Sequence, residues 1–128
     1  MKAIVITRPG GPEVLQQVER PQPSFSSSQV LIRVSAAGIN RADLAQRAGN
    51  YPPPPGASPD IPGLEISGIV EACGTAVTRW RPGDAVCALL AGGGYAEYVA
   101  VEATHCLPIP QGITLVEAAG LPETTFTV

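Results

Sequence analysis

A few side chains in this 128-residue chain stand where their type and surroundings permit chemistry. Tyr51, one of three tyrosines, precedes four consecutive prolines, Pro52 to Pro55. Each proline lacks an N–H and has a fixed φ, so the segment is a stiff, extended surface loop rather than helix or central strand. Asn40 follows an apolar run and "AAG", where strand character gives way to helix. There it acts either as an N-cap or as a side chain facing a cleft. Glu65 sits between Leu64 and Ile66, and a carboxylate is costly to bury in such a run unless it is paired. Arg41 or Arg33 is the expected partner.

Two further motifs lose their chemistry on inspection. "GGGYAE" is not Gly-x-Gly-x-x-Gly, and Gly63 to Gly68 has the spacing of a phosphate loop without the Lys and Ser/Thr that must follow. The triplet Gly92–Gly94 therefore reads as a flexible hairpin tip. His105 is the only histidine, with Cys106 beside it and Glu102 three residues back. Neighbours on a strand point to opposite faces and make a poor metal pair, so no metal site is expected.

The elements that must position these residues are mostly short strands. "KAIVIT" and "VLQQVE" flank the turn cluster "RPGGPE" and predict a hairpin. "QVLIRVSAAG" is nearly continuous in apolar content, which predicts a central, buried strand. "NRADLAQRAG" places Ala42, Leu44, Ala45 and Ala48 at helical spacing before a glycine, giving a helix of two turns. "EISGIVEAC" and "DAVCALL" resume strand character around the turn "RWRPGD", and another strand follows the glycine triplet. Thr114 with Glu117 forms a capping box that starts a helix. Pro122 interrupts that helix and suits the first turn of another, of which seven residues are present. The expectation is that the polypeptide stops inside an element and is part of a larger chain.

Composition bounds the function class. Charged residues make up only 15% and apolar residues 45%, which excludes disorder. Fourteen glycines and fourteen prolines punctuate apolar runs, as in a β-rich fold with many tight turns. The net charge of -3 comes without any basic run, so neither nucleic acid nor an anionic membrane is an expected partner. Cys73, Cys87 and Cys106 are odd in number and widely spaced, as for buried, reduced thiols. With no signal-like start and no apolar stretch of membrane-spanning length, the expected location is the cytoplasm.

Taken in order, "RPGGPEVLQ", "GINRADLAQRAGNYPPPPGAS", "PGLEISGIVEACG", "RPGDAVCALLAGGGYAEYVAV" and "LPIPQGITLVEAAGLPET" resemble the N-terminal half of the medium-chain dehydrogenases/reductases. Within these the chain looks most like the zinc-free quinone oxidoreductase branch, particularly the p53-inducible quinone oxidoreductase-like group. The resemblance implies a mainly β, GroES-like catalytic domain of barrel type over residues 1–121, with short helices. Residues 122–128 would then lead into a Rossmann cofactor domain that this chain lacks. It further implies NADPH as cofactor, quinones or α,β-unsaturated carbonyls as substrates, and a homodimer as the full-length state. Tyr51 would border the substrate cleft, either donating its hydroxyl to the carbonyl being reduced or serving as a lid. Asn40 would lie near nicotinamide and substrate as a catalytic and cofactor-binding residue, and Thr127 would lie against the nicotinamide. Asn40 and Leu64 stand where the zinc alcohol dehydrogenases carry Cys and His, and the four-cysteine lobe is missing, so zinc is not expected. The alternatives are a stand-alone, non-catalytic GroES-like binding module and, more remotely, a zinc-type alcohol dehydrogenase domain.

Overall fold

The computed structural model describes residues 1–123. Seven strands and two short α-helices follow one another as β1 (Lys2–Ile6), β2 (Leu15–Glu19), β3 (Gln29–Ala37), α1 (Arg41–Arg47), β4 (Glu65–Cys73), β5 (Ala85–Leu89), β6 (Tyr98–Glu102), β7 (Cys106–Pro108) and α2 (Leu115–Ala118). The expected N-terminal hairpin is present: β1 and β2 pair antiparallel from Lys2 opposite Glu19 to Ile6 opposite Leu15. The other five strands form one antiparallel sheet in the order β6-β3-β4-β5-β7. The fold is mainly β as expected. The barrel-type expectation needs correction, because the ladder ends at β6 and β7 and the sheet does not close among the described residues.

Period-two alternation builds the core. Val30 and Ile32 of β3 stand opposite Val101 and Val99 of β6, and Ile66 of β4 stands opposite Ala88 of β5. Together with Val70, Val86 and Trp80 they form one buried cluster. β3 is interior to the sheet, and Leu31, on its opposite face, is also buried, in keeping with its unbroken apolar run. On that second face α2 packs against β3, β4 and β5. Ser67, fully buried, donates its hydroxyl hydrogen bond to the Leu115 carbonyl there. Gly68 allows the tight β3–β4 crossing, since a Cβ would lie 2.2 Å from the Arg33 carbonyl oxygen.

Two local expectations need correction. The buried face of α1 is polar, made of Asp43 and Gln46, whereas Leu44 is 49% exposed. The Gly92–Gly94 segment is not a hairpin tip, because β5 and β6 are not neighbours in the sheet. It docks instead on the 61–63 segment, with the Gly93 N–H donating to Ile61 O at 2.8 Å and the Gly94 N–H to Gly63 O at 3.2 Å. The helix that starts after Thr114 ends at Ala118, and Pro122 and Glu123 are already helical again. Its capping box is as expected: Glu117 N–H donates to Thr114 Oγ1 at 3.1 Å, and Thr114 N–H to Glu117 Oε1 at 3.0 Å.

Candidate active site

The end of β3, the start of β4 and the first turn of α1 meet around Asn40. Gly38 donates its N–H to the Glu65 carbonyl at 3.1 Å, extending the β3–β4 pairing into the turn. The Glu65 side chain passes directly over Gly38, where a Cβ would fall 2.1 Å from Glu65 Oε1, so only glycine leaves the carboxylate its path. Glu65 is 3% exposed. Its Oε1 accepts from Asn40 Nδ2 at 3.1 Å and its Oε2 from the Glu123 N–H at 2.9 Å. The expected partner, Arg33 or Arg41, is not what neutralises the burial: both arginines are exposed, and two neutral N–H groups meet the carboxylate instead. A short, charged side chain on a β-strand reaches what lies above its own face, and here that is the β3–α1 turn.

Asn40 is the N-cap of α1, with extended φ and ψ of -124° and 158°. Its backbone N–H donates to Asp43 Oδ2 at 2.9 Å, the return arm of a capping box. The N-cap reading holds: Asn40 closes the capping box with Asp43, and its carboxamide nitrogen meets the buried Glu65. Asp43 is 5% exposed and its Oδ2 also accepts the Tyr95 hydroxyl at 2.6 Å, while Oδ1 is buried without a partner among the described residues. Burial first, then the hydrogen bond to Asp43, push the Tyr95 phenol well above its ordinary range. Tyr95 reaches Asp43 because Gly63 and Gly94 cross closely: a Cβ on Gly63, whose φ is +114°, would lie 2.8 Å from Gly94 Cα.

Tyr51 stands beyond the C-terminal end of α1, opposite the end that Asn40 caps. It is 36% exposed, and its hydroxyl makes no hydrogen bond among the described residues. Gly49 and Gly56, with φ of +88° and +86°, turn the chain at either end of the Tyr51–Pro55 run. The structure therefore joins Asn40 to Glu65, Asp43 and Tyr95 but does not bond Tyr51 to them. Thr127 lies outside the described residues. His105 is exposed on a turn while Cys106 is fully buried, as opposite-facing neighbours should be. A cavity of about 630 Å³ bordered by Ile61, Leu90, Val99 and His105 lies elsewhere and includes none of Asn40, Tyr51 or Glu65.

Asp43 and Tyr95 were missed by sequence reasoning. The spacing Asn40-x-x-Asp43 is itself an N-cap signal that could have flagged the aspartate. Nothing local links it to Tyr95.

Residues 26–111 match the model of the alcohol dehydrogenase GroES-like domain. The chain belongs to that family. This GroES-like domain is 40% identical over 127 residues to the synaptic vesicle membrane protein VAT-1 homolog of Danio rerio, covering 98% of the chain and 26% of that protein. It is 37% identical over 129 residues to the quinone oxidoreductase of Rattus norvegicus, covering 99% of the chain and 39% of that protein. Among solved structures, Escherichia coli quinone oxidoreductase complexed with NADPH superposes with a TM-score of 0.82 at 31% identity, covering 93% of the chain and 36% of the other. The GroES-like domain thus spans well under half the length of these relatives, and the resemblance to medium-chain dehydrogenases/reductases holds.

Proposed function

We propose that this GroES-like domain is the substrate-side catalytic half of an NADPH-dependent oxidoreductase that reduces quinones or related α,β-unsaturated carbonyls. The observation that carries the reading is the Asn40 carboxamide, held by a buried carboxylate at the end of β3 beside Ile39, which is 79% exposed. A large apolar side chain left in the open next to an oriented amide offers a wall and a polar anchor to a flat ring. The likeness to quinone oxidoreductases, one of them solved with NADPH, supports the same assignment.

The residues fit one end of the cofactor only. The N–H groups of Gly93 and Gly94 are spent on Ile61 and Gly63, so two of the triplet's three backbone donors are not available to cradle phosphates. Ile39 and Asn40 would hold the nicotinamide end, and the phosphates would be bound by a dinucleotide-binding portion working with this one. When bound, NADPH supplies the hydride. Tyr51, on its proline-stiffened loop, donates its hydroxyl to the acceptor oxygen as negative charge grows there, which stabilises the transition state more than the ground state. No zinc takes part in this proposal.

The test joins the chain to a dinucleotide-binding domain of the Rossmann type and follows NADPH oxidation with para-benzoquinone and with an enone. Acceptor-dependent oxidation is expected. Tight NADPH binding without reduction of either acceptor would instead favour a non-catalytic binding module.

A further inference from the structure

Glu65 is buried, yet both its oxygens meet neutral donors. We propose that Glu65 is a positioning residue that dictates which side of the Asn40 amide is offered to a ligand. The catalytic consequence rests on the oxidoreductase reading; the structural one does not.

A carboxylate only accepts hydrogen bonds, whereas an asparagine amide has a donor side and an acceptor side. With Oε1 3.1 Å from the amide, a flipped Asn40 would set two acceptor oxygens against each other. Glu65 therefore locks Nδ2 towards itself and leaves Oδ1 on the α1 side, where the capping box sets it against the Asp43 N–H. Because the bond is to a carboxylate, it is stronger than one between neutral groups. What Asn40 then offers a ligand is the second lone pair of Oδ1, an acceptor suited to a carboxamide NH₂ or a hydroxyl. Donation to the reacting oxygen falls to Tyr51. The second oxygen ties this setting to the chain beyond α2, since Oε2 accepts from Glu123 at 2.9 Å. Gly38 is part of the device because any side chain there displaces the carboxylate.

Glu65→Gln separates this role from simple packing. The shape is kept, but an amide can accept from only one of the two donors and must aim its own NH₂ at the other. In the 128-residue chain the Asn40 side-chain amide resonances should move toward those of a free asparagine, and the Glu123 amide should shift with them. Unmoved Asn40 resonances overturn the proposal. Should the variant not fold, Asn40→Ala reads the same contact from the other side: the Glu65 carboxyl carbon must shift, and a stationary one overturns the proposal equally.

In the form joined to a dinucleotide-binding domain, Glu65→Gln and Asn40→Ala should each lower kcat ~10-fold or more, the scale of one oriented polar contact. The double variant should be no worse than Asn40→Ala alone, because Glu65 acts through Asn40. Losses that multiply would overturn it. If no form reduces any acceptor, the functional reading fails while the resonance shifts still decide whether Glu65 holds Asn40.

Discussion

At the residue scale, Tyr51 and Tyr95 divide two roles that a phenol can play. Tyr51 is 36% exposed, and its hydroxyl makes no hydrogen bond among the described residues. If it donates to the acceptor oxygen, Tyr51→Phe in the cofactor-bearing form lowers turnover ~10-fold or more, equivalent to ~1.4 kcal/mol, with little change in NADPH binding. If it is only a lid, Phe keeps the ring and matches the parent while Tyr51→Ala fails. Steady-state kinetics at saturating NADPH distinguishes the two.

Tyr95 is structural. Its hydroxyl donates to a buried carboxylate, so Tyr95→Phe leaves Asp43 with one acceptor fewer satisfied and should destabilise the domain by about 1–3 kcal/mol. The pH dependence has a definite sign. The folded-state pKa of Tyr95 is raised, so the folded form holds the proton more tightly. Its contribution is complete below the ordinary tyrosine value of about 10 and is lost as the pH rises above it. The raised thiols of Cys73, Cys87 and Cys106 begin the same loss at lower pH. The difference between wild type and Tyr95→Phe in denaturant melts across the alkaline range isolates the tyrosine, and it should narrow as the pH climbs.

At the element scale, the central sheet depends on β3 and β4, which carry apolar side chains into the core and cross at Gly68. Ile32 is fully buried at the centre of the cluster, so Ile32→Ala should cost about 2–5 kcal/mol through lost transfer energy and a residual cavity. A lower urea midpoint with an unchanged slope is the expected result. β3 and β4 were legible in the sequence because apolar runs bounded by turn residues signal buried strands directly. The buried face of α1 was not legible. Helical spacing pointed to Leu44, but α1 buries Asp43 and Gln46, and Asp43 is held there by the Asn40 N–H and the Tyr95 hydroxyl.

At the scale of the whole molecule, cooperativity can be read through the cysteines. Cys106 is fully buried, and burial pushes its thiol up to about 12; Cys87 is also buried, whereas Cys73 is partly exposed. Since the thiolate is the reactive form and must be reached, Cys73 should react with a disulfide reagent in the native protein. Cys87 and Cys106 should react only as fast as the sheet opens globally. Three thiols titrating together in the native state would show that β5 and β7 open locally.

The amino-acid sequence alone determined what depends on near neighbours: strands from apolar runs, turns from glycine and proline, the Thr114 capping box and the N-cap position of Asn40. Each arises from interactions within a few residues, where local propensity and geometry suffice. Tertiary structure alone decided what Asn40, Glu65 and Tyr95 touch. The Asn40–Glu65, Tyr95–Asp43 and Glu123–Glu65 bonds span 25, 52 and 58 residues. A buried carboxylate announces from sequence only that it needs a partner. Whether that partner is an arginine or two neutral N–H groups depends on which loop the sheet register brings overhead, and Gly38 and the Gly63–Gly94 crossing set that approach.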